Sequence, residues 1–274
     1  MKNRLLYVNG FYERLVCVFL AGLQPMRVAI LVFWGVFISI IPAKAADRQL
    51  KTAALTWLRL TNTVQIDSHW IFFSEVDFRF FDKPVKMNTI LPRVSARYTF
   101  NSGMSIGFGF AGALNFPNDN LSTSNLITPE LRPFADLSFQ KKYGPVVITH
   151  RNLIENRFMH NATATELQPG YKYIFRYRYR LNADFILWQK PGKSVKFILY
   201  NEIMLQAGKT VLYNVFDQNR VYAGLYYEPV KYFAMEGGYM HFFQQTTAGN
   251  VFNNRHIFRL SLYTKIFVKP RNKA

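Results

Sequence analysis

Phe175-Arg176-Tyr177-Arg178-Tyr179-Arg180-Leu181-Asn182-Ala183-Asp184-Phe185 alternates without a break between greasy and polar side chains. Successive side chains of a strand point to opposite faces. One face therefore carries Phe175, Tyr177, Tyr179, Leu181, Ala183 and Phe185, the other Arg176, Arg178, Arg180, Asn182 and Asp184. On a soluble sheet the charged face would meet water and the greasy face a core. In a closed membrane barrel the sense is reversed: the greasy face meets lipid and the arginines line the inside. The segment by itself allows both readings, and the rest of the chain decides between them.

Ten further segments alternate in the same way. Leu58 to Ile66 sets Leu58, Leu60, Val64 and Ile66 against Arg59, Thr61, Thr63 and Gln65. In the second, Trp70, Phe72, Val76, Phe78 and Phe80 oppose Glu75, Asp77 and Arg79. The third ends at Phe100 and opposes Val94, Ala96 and Tyr98 to Arg93, Ser95 and Arg97. In the fourth, Met104, Ile106, Phe108 and Phe110 face away from Ser105, Gly107, Gly109 and Ala111, whose small size is expected to leave room for bulky side chains from across the lumen. The fifth opposes Leu131, Pro133, Ala135 and Leu137 to Glu130, Arg132 and Asp136, with a bulge expected at Pro133. The sixth sets Thr149, Arg151, Glu155 and Arg157 against Ile148, Ile154 and Phe158, with His150 and Asn152 interrupting its greasy face. Lys196, Glu202 and Gln206 mark the charged face of the eighth, Gln218 and Arg220 that of the ninth, Glu236 that of the tenth, and Arg259 and Lys265 that of the last.

Short polar turns are expected at 67–69, 101–103, 141–144, 188–194 and 228–231, and longer connections over 115–128, 159–170 and 245–254. Outer-membrane barrels have this asymmetry of short periplasmic turns and longer outer loops. A soluble sandwich shares the strand spacing. It does not need 26 phenylalanines and 16 tyrosines, many of them near strand ends, where a membrane-interface girdle would sit. The sequence therefore predicts an all-β fold, a transmembrane antiparallel up-and-down β-barrel. Single-chain bacterial barrels have even strand numbers. Twelve strands are expected, with residues 46–56 rising as a short, poorly patterned strand or as a lumenal segment; ten is the next count.

The start of the chain reads as an export signal. Met26-Arg27 precedes the apolar run 28–41, and Ala43 and Ala45 form an A-x-A cleavage site. The run is shorter than the roughly 20 residues of a spanning helix. Met26 is the expected start, 1–45 the extension and cleaved signal, and 46–274 a single barrel domain in the outer membrane of a Gram-negative bacterium. Removing 1–45 takes away five basic residues and Glu13, leaving 29 basic and 15 acidic side chains, net +14. It also removes Cys17, the only cysteine, so disulfides are excluded from the mature domain. Nucleic acid is not an expected partner despite the charge, because of the export signal and because the arginines stand singly at alternate strand positions. Lipid and, during insertion, the barrel-assembly machinery are the partners this reading implies, with a small anionic solute if the lumen is open.

The charged faces converge on a lumenal network whose core members are Glu75, Arg79, Arg93, Arg132, Arg151, Glu155, Arg157, Arg176, Arg178, Arg180, Glu202, Arg220 and Glu236. Buried charge is costly unless paired or hydrated. Arginine suits such a site because its planar fork binds carboxylates bidentately. The same residues carry a resemblance. The series Trp57; Glu75 and Arg79; Pro92-Arg93 with Tyr98; Glu130-Leu131-Arg132; His150-Arg151 with Glu155-Asn156-Arg157-Phe158; Arg176-Tyr177-Arg178; Asn201-Glu202; Asp217-Gln218-Asn219-Arg220; and Glu236-Gly237-Gly238-Tyr239 resembles the bacterial family catalogued as domain of unknown function 2490. Leu153 departs from it where an arginine is expected. The resemblance implies an outer-membrane barrel and supplies no activity.

No catalytic, cofactor or metal site is read from the sequence. Ser122, Ser124 and His160 fall in outer loops and allow a lipid hydrolase, but their spacing does not single one out. The functional expectation is a filled, structural or interaction barrel. A small anion-preferring pore or uptake channel is the alternative, and an outer-membrane lipid-modifying enzyme a distant one.

Overall fold

The computed structural model describes residues 48–268. The expected signal and its cleavage site lie outside them. Among the described residues, eleven strands close into a barrel: β1 (Gln49–Gln65), β2 (Trp70–Asp82), β3 (Val85–Thr99), β4 (Met104–Asn115), β5 (Thr128–Tyr143), β6 (Val146–Ala162), β7 (Leu167–Lys190), β8 (Lys193–Ala207), β9 (Phe216–Val230), β10 (Phe233–Gln245) and β11 (Val251–Phe267). Chain neighbours pair antiparallel throughout. The seam is the exception, since β1 pairs parallel with β11 from Gln49↔Val251 to Gln65↔Phe267.

The count is thus eleven, not twelve. The stretch expected as a separate strand is the first half of β1, running on into Leu58 without a turn. Its alternation is hidden because its inward side chains are apolar. Leu55 and Trp57 are buried in a lumenal cluster with Phe81, Tyr200, Tyr222, Met240, Phe242 and Ile257. With an odd number of strands, first and last run in the same direction, and a parallel seam is the geometry that closes them.

The long connections cluster at one end, at 116–127 and 208–215, but that end also holds the tight turn at 83–84 and a four-residue link at 163–166. Strands β6 and β7 extend well beyond their expected ends and shorten the link between them. At Pro133 there is no bulge. The β4 register passes through Phe110↔Pro133 unchanged, while on the β6 side no pairs form opposite Arg132 and Pro133. Proline is accommodated by omitting ladder bonds it cannot donate to.

The outward faces are exposed and apolar, with Leu60, Phe72, Val94, Phe108, Leu225 and Phe258 among them. The short-turn end is pinned by local bonds. Asp67 Oδ1 accepts the backbone N–H of Trp70 and of His69, both at 2.7 Å. These bonds hold its carboxyl below the usual range. A depressed folded pKa contributes stability that is present above the unfolded value and lost as pH falls through the folded one. Asp67→Ala is therefore expected to lower the unfolding midpoint at neutral pH, with the gap to wild type closing in acid. A gap that stays constant across the acid range would contradict this.

Candidate functional site: an arginine-lined cup

The lumen holds the charged faces, and Glu75, Asp77, Glu130, Asp136, Glu155 and Glu202 each serve more than one arginine. Around Glu130 on β5, Arg132 Nη2 donates at 2.7 Å and Arg157 Nη2 at 3.0 Å, with Arg157 Nε on the second oxygen. Asp136 accepts from Arg97 Nη2 at 3.1 Å and from Arg151 Nε and Nη2 at 3.2 and 3.3 Å. On β2, Asp77 takes Arg59 Nε at 2.5 Å and Arg79 Nη2 at 3.2 Å, and Glu75 takes Arg93 Nη1 at 2.9 Å. Tyr263 Oη donates to Glu236 at 2.7 Å, and Arg259 stands 3.5 Å from it.

The densest part spans β6 to β9. Arg178 bridges two carboxylates, donating from Nη1 to Glu155 at 3.0 Å and from Nη2 to Glu202 at 2.9 Å. Arg176 lies 2.8 Å from Asp217 and 3.5 Å from Glu155. Glu202 also accepts Arg180 Nη2 at 3.1 Å and has Arg220 Nη1 at 3.6 Å. Arg220 donates in addition to Gln218. The thirteen residues singled out from the sequence therefore fall into several linked groups, with Arg157 of β6 bonded to Glu130 of β5.

Several members escaped the sequence reading, Asp217 and Arg255 among them. Asp217 precedes Gln218, so strict alternation would point it outward. A register shift between Met204↔Gln218 and Leu205↔Phe216 inserts it as an extra residue, and both it and Gln218 are buried. Arg255 was missed because β11 begins at Val251, seven residues before Phe258. Carrying the Arg259 parity back two steps would have found it. Its Nη2 donates to Asn118 Oδ1 at 2.7 Å, tying the 116–127 connection to the opposite wall.

Leu153 is part of an apolar wall. It packs buried with Leu91, Ala111, Ala113 and Phe134. The β4 glycines serve the neighbouring strand, and not side chains from across the lumen. A Cβ on Gly107 would stand 2.6 Å from Asp136 Oδ1, so Arg97 of β3 reaches Asp136 of β5 over a strand with no side chain at that point.

Polar groups on the outward face satisfy one another. His150 Nδ1 lies 2.8 Å from Tyr179 Oη, and Tyr177 Oη donates to Asn152 at 2.6 Å. On the far side, Tyr239 Oη meets His256 Nδ1 and His241 Nε2 meets Asn254 Oδ1, each at 2.7 Å. These pairs remove the objection that His150 and Asn152 raise against a greasy outer face.

Inside, a cavity of about 1100 Å³ runs from the long connections down to Arg97, Arg151, Arg259 and Tyr263. Its rim includes Ser122, Ser124, Thr163, Ala164, Thr210 and Thr246. None of its lining residues comes from the short turns. On the short-turn side of Tyr263, Lys265 Nζ donates to Glu228 at 2.6 Å and the rings of Tyr226 and Tyr263 lie 5.9 Å apart. The cavity is a cup that opens at the long-connection end. Ser122 and Ser124 lie at its rim, but His160 packs on Tyr171 with ring centroids 5.0 Å apart and does not line it. The hydrolase residues are not brought together. Among the described residues no group of three or more His, Cys, Asp or Glu is placed to hold a metal ion.

Comparison with known proteins gives two matches. The model of a family described as "Protein of unknown function (DUF2490)" matches residues 54–253. The solved structure of outer-membrane expressed OmpT of Vibrio cholerae aligns with a TM-score of 0.34 at 10% identity, over 66% of this chain. The chain spans 58% of the length of that structure. No curated protein matches the chain.

Proposed function

The chain belongs to the family described as protein of unknown function (DUF2490), and from that premise we propose that it is an integral outer-membrane barrel with a filled, non-conducting lumen and a structural or interaction role. The observation that carries this reading is the pairing of an exposed apolar outer wall with a lumen whose charges are tied to one another in ion pairs. A soluble barrel would show the opposite partition. The reading includes export by the 26–45 segment, cleavage near Ala45, a 46–274 barrel domain and insertion by the barrel-assembly machinery. The two apolar clusters and the shared carboxylates take up part of the lumen around the cup. The long-connection end, with the mouth of the cup, is the surface this barrel presents to partners.

Membrane fractionation followed by single-channel recording on the refolded protein tests the proposal. The expected result is a heat-modifiable outer-membrane protein that gives no steady conductance in a planar bilayer. Recovery as a soluble periplasmic monomer would refute the membrane reading, and large stable openings the closed lumen. The excess of arginine along the cup favours one second reading, a small anion-preferring pore. Any conductance would then be anion-selective, most strongly at low salt where screening is weakest.

A further inference from the structure

We infer that the cup is a binding site for a small multivalent oxyanion, a phosphate- or carboxylate-bearing molecule that enters from the long-connection end; this rests on the closed-lumen reading above. Thirteen arginines and Lys172 line the cavity, against three carboxylates, Glu75, Glu155 and Asp217. Asp77, Glu130, Asp136, Glu202 and Glu236 do not line it, though they pair with arginines that do. Counting all eight acids still leaves six positive charges in excess. Five of the acids stand behind the arginines, so the charge met by an incoming molecule is mostly positive.

The deep end holds three arginines on two shared acids. Arg151 and Arg180 sit directly opposite each other on β6 and β7, a like-charged cross-strand pair that is destabilising by itself. Arg97 joins them from β3, sharing Asp136 with Arg151. Glu202, the partner of Arg180, is already shared with Arg178 and Arg220. The side chains of Arg97, Arg151 and Arg180 are 28%, 23% and 23% exposed, while those of Asp136 and Glu202 are 2% and 3% exposed. Three guanidinium groups thus face the cavity with their acids walled off. Arg151 and Arg180 each spend Nε and Nη2 on the wall, which leaves the Nη1 edge for a ligand. Guanidinium forks match phosphate and carboxylate oxygens, and the volume lies at the upper end of small-molecule sites.

Calorimetric titration of the refolded full-length protein with sodium tripolyphosphate, and separately with citrate, tests the inference. The expected result is one saturable site for at least one probe, weakening as sodium chloride is raised. Binding of tripolyphosphate alone assigns a phosphate ligand, and of citrate alone a carboxylate. The double variant R97Q/R180Q leaves Asp136 with Arg151 and Glu202 with Arg178 and Arg220, so every wall carboxylate keeps a partner. It should bind at least about tenfold more weakly. Ala164→Trp, at the rim and away from every ion pair, should obstruct entry and reduce binding without disturbing the fold. Absence of saturable binding to both probes, or an unchanged affinity in R97Q/R180Q, would overturn the site. Conductance is a separate readout: stable openings overturn the closed lumen, whereas missing heat in a silent barrel overturns only the anion site.

Discussion

Glu202→Ala is expected to lower the stability of the refolded barrel by about 3–5 kcal/mol, the cost of leaving buried cations without their counter-charge. The side chain of Glu202 is 3% exposed and serves three arginines at once. Oε1 accepts Nε and Nη2 of Arg178 at 3.3 and 2.9 Å and the same atoms of Arg180 at 3.2 and 3.1 Å. After truncation Arg178 keeps Glu155 and Arg220 keeps Gln218. Arg180 keeps only the face of Tyr200, 4.7 Å from the ring centroid. Glu155→Ala should cost less, because Arg176 retains Asp217 and Arg178 retains Glu202. Glu202→Gln, which preserves shape and an acceptor but not the charge, should fall between wild type and Glu202→Ala. Urea unfolding in detergent micelles, followed by gel mobility, gives the order. If Glu202→Ala unfolds with the wild type, the network is hydrated and does not brace the barrel.

Alternation made most of the wall legible, because a strand with lipid on one side and charge on the other leaves a period of two that noise cannot hide. Arg176, Arg178 and Arg180 could be placed on one face from eleven residues. Pairing could not be read in this way. Arg176 finds Asp217 across two strands, and Arg97 finds Asp136 over a glycine. Those partners depend on register, which a face pattern leaves open. The period also fails where the inward positions are no more polar than the outward ones, and this concealed the first half of β1, whose Ala53, Leu55 and Trp57 point inward while Thr52 and Thr56 point outward. It fails again at a bulge, which turned Asp217 inward. The strand count went wrong for a different reason. The eleven segments were all there to be read; a general preference for even barrels added a twelfth, and the parallel seam removes the need for it.

The adjacent glycines of β10 should respond in opposite ways to the same substitution. Gly238 faces the lumen opposite Gly224 of β9, and the ring of Tyr222 lies across both. A Cβ at Gly238 would meet the backbone oxygen of Ala223, and it would stand 2.6 Å from Gly224 Cα and 2.7 Å from Tyr222 Oη. Two of these three are backbone atoms, which cannot swing aside as a side-chain tip can. Tyr222 has little freedom either. It is fully buried, stacked on Tyr200 with centroids 4.8 Å apart, and capped by the Arg259 guanidinium 5.2 Å from its ring. Gly238→Ala therefore has to spread the β9–β10 ladder or unseat the tyrosine stack, at a cost of about 1–3 kcal/mol for overpacking. Gly237 faces outward with nothing within 4 Å of its added Cβ. There alanine removes only chain entropy from the unfolded state, for a gain of about 0.4–1 kcal/mol. Unfolding midpoints of the two variants, measured side by side with wild type, should fall on either side of it. Equal shifts, or a tolerated Gly238→Ala, would mean that the Tyr222 ring does not lie over these glycines and that the inward and outward faces of β10 are assigned the wrong way round.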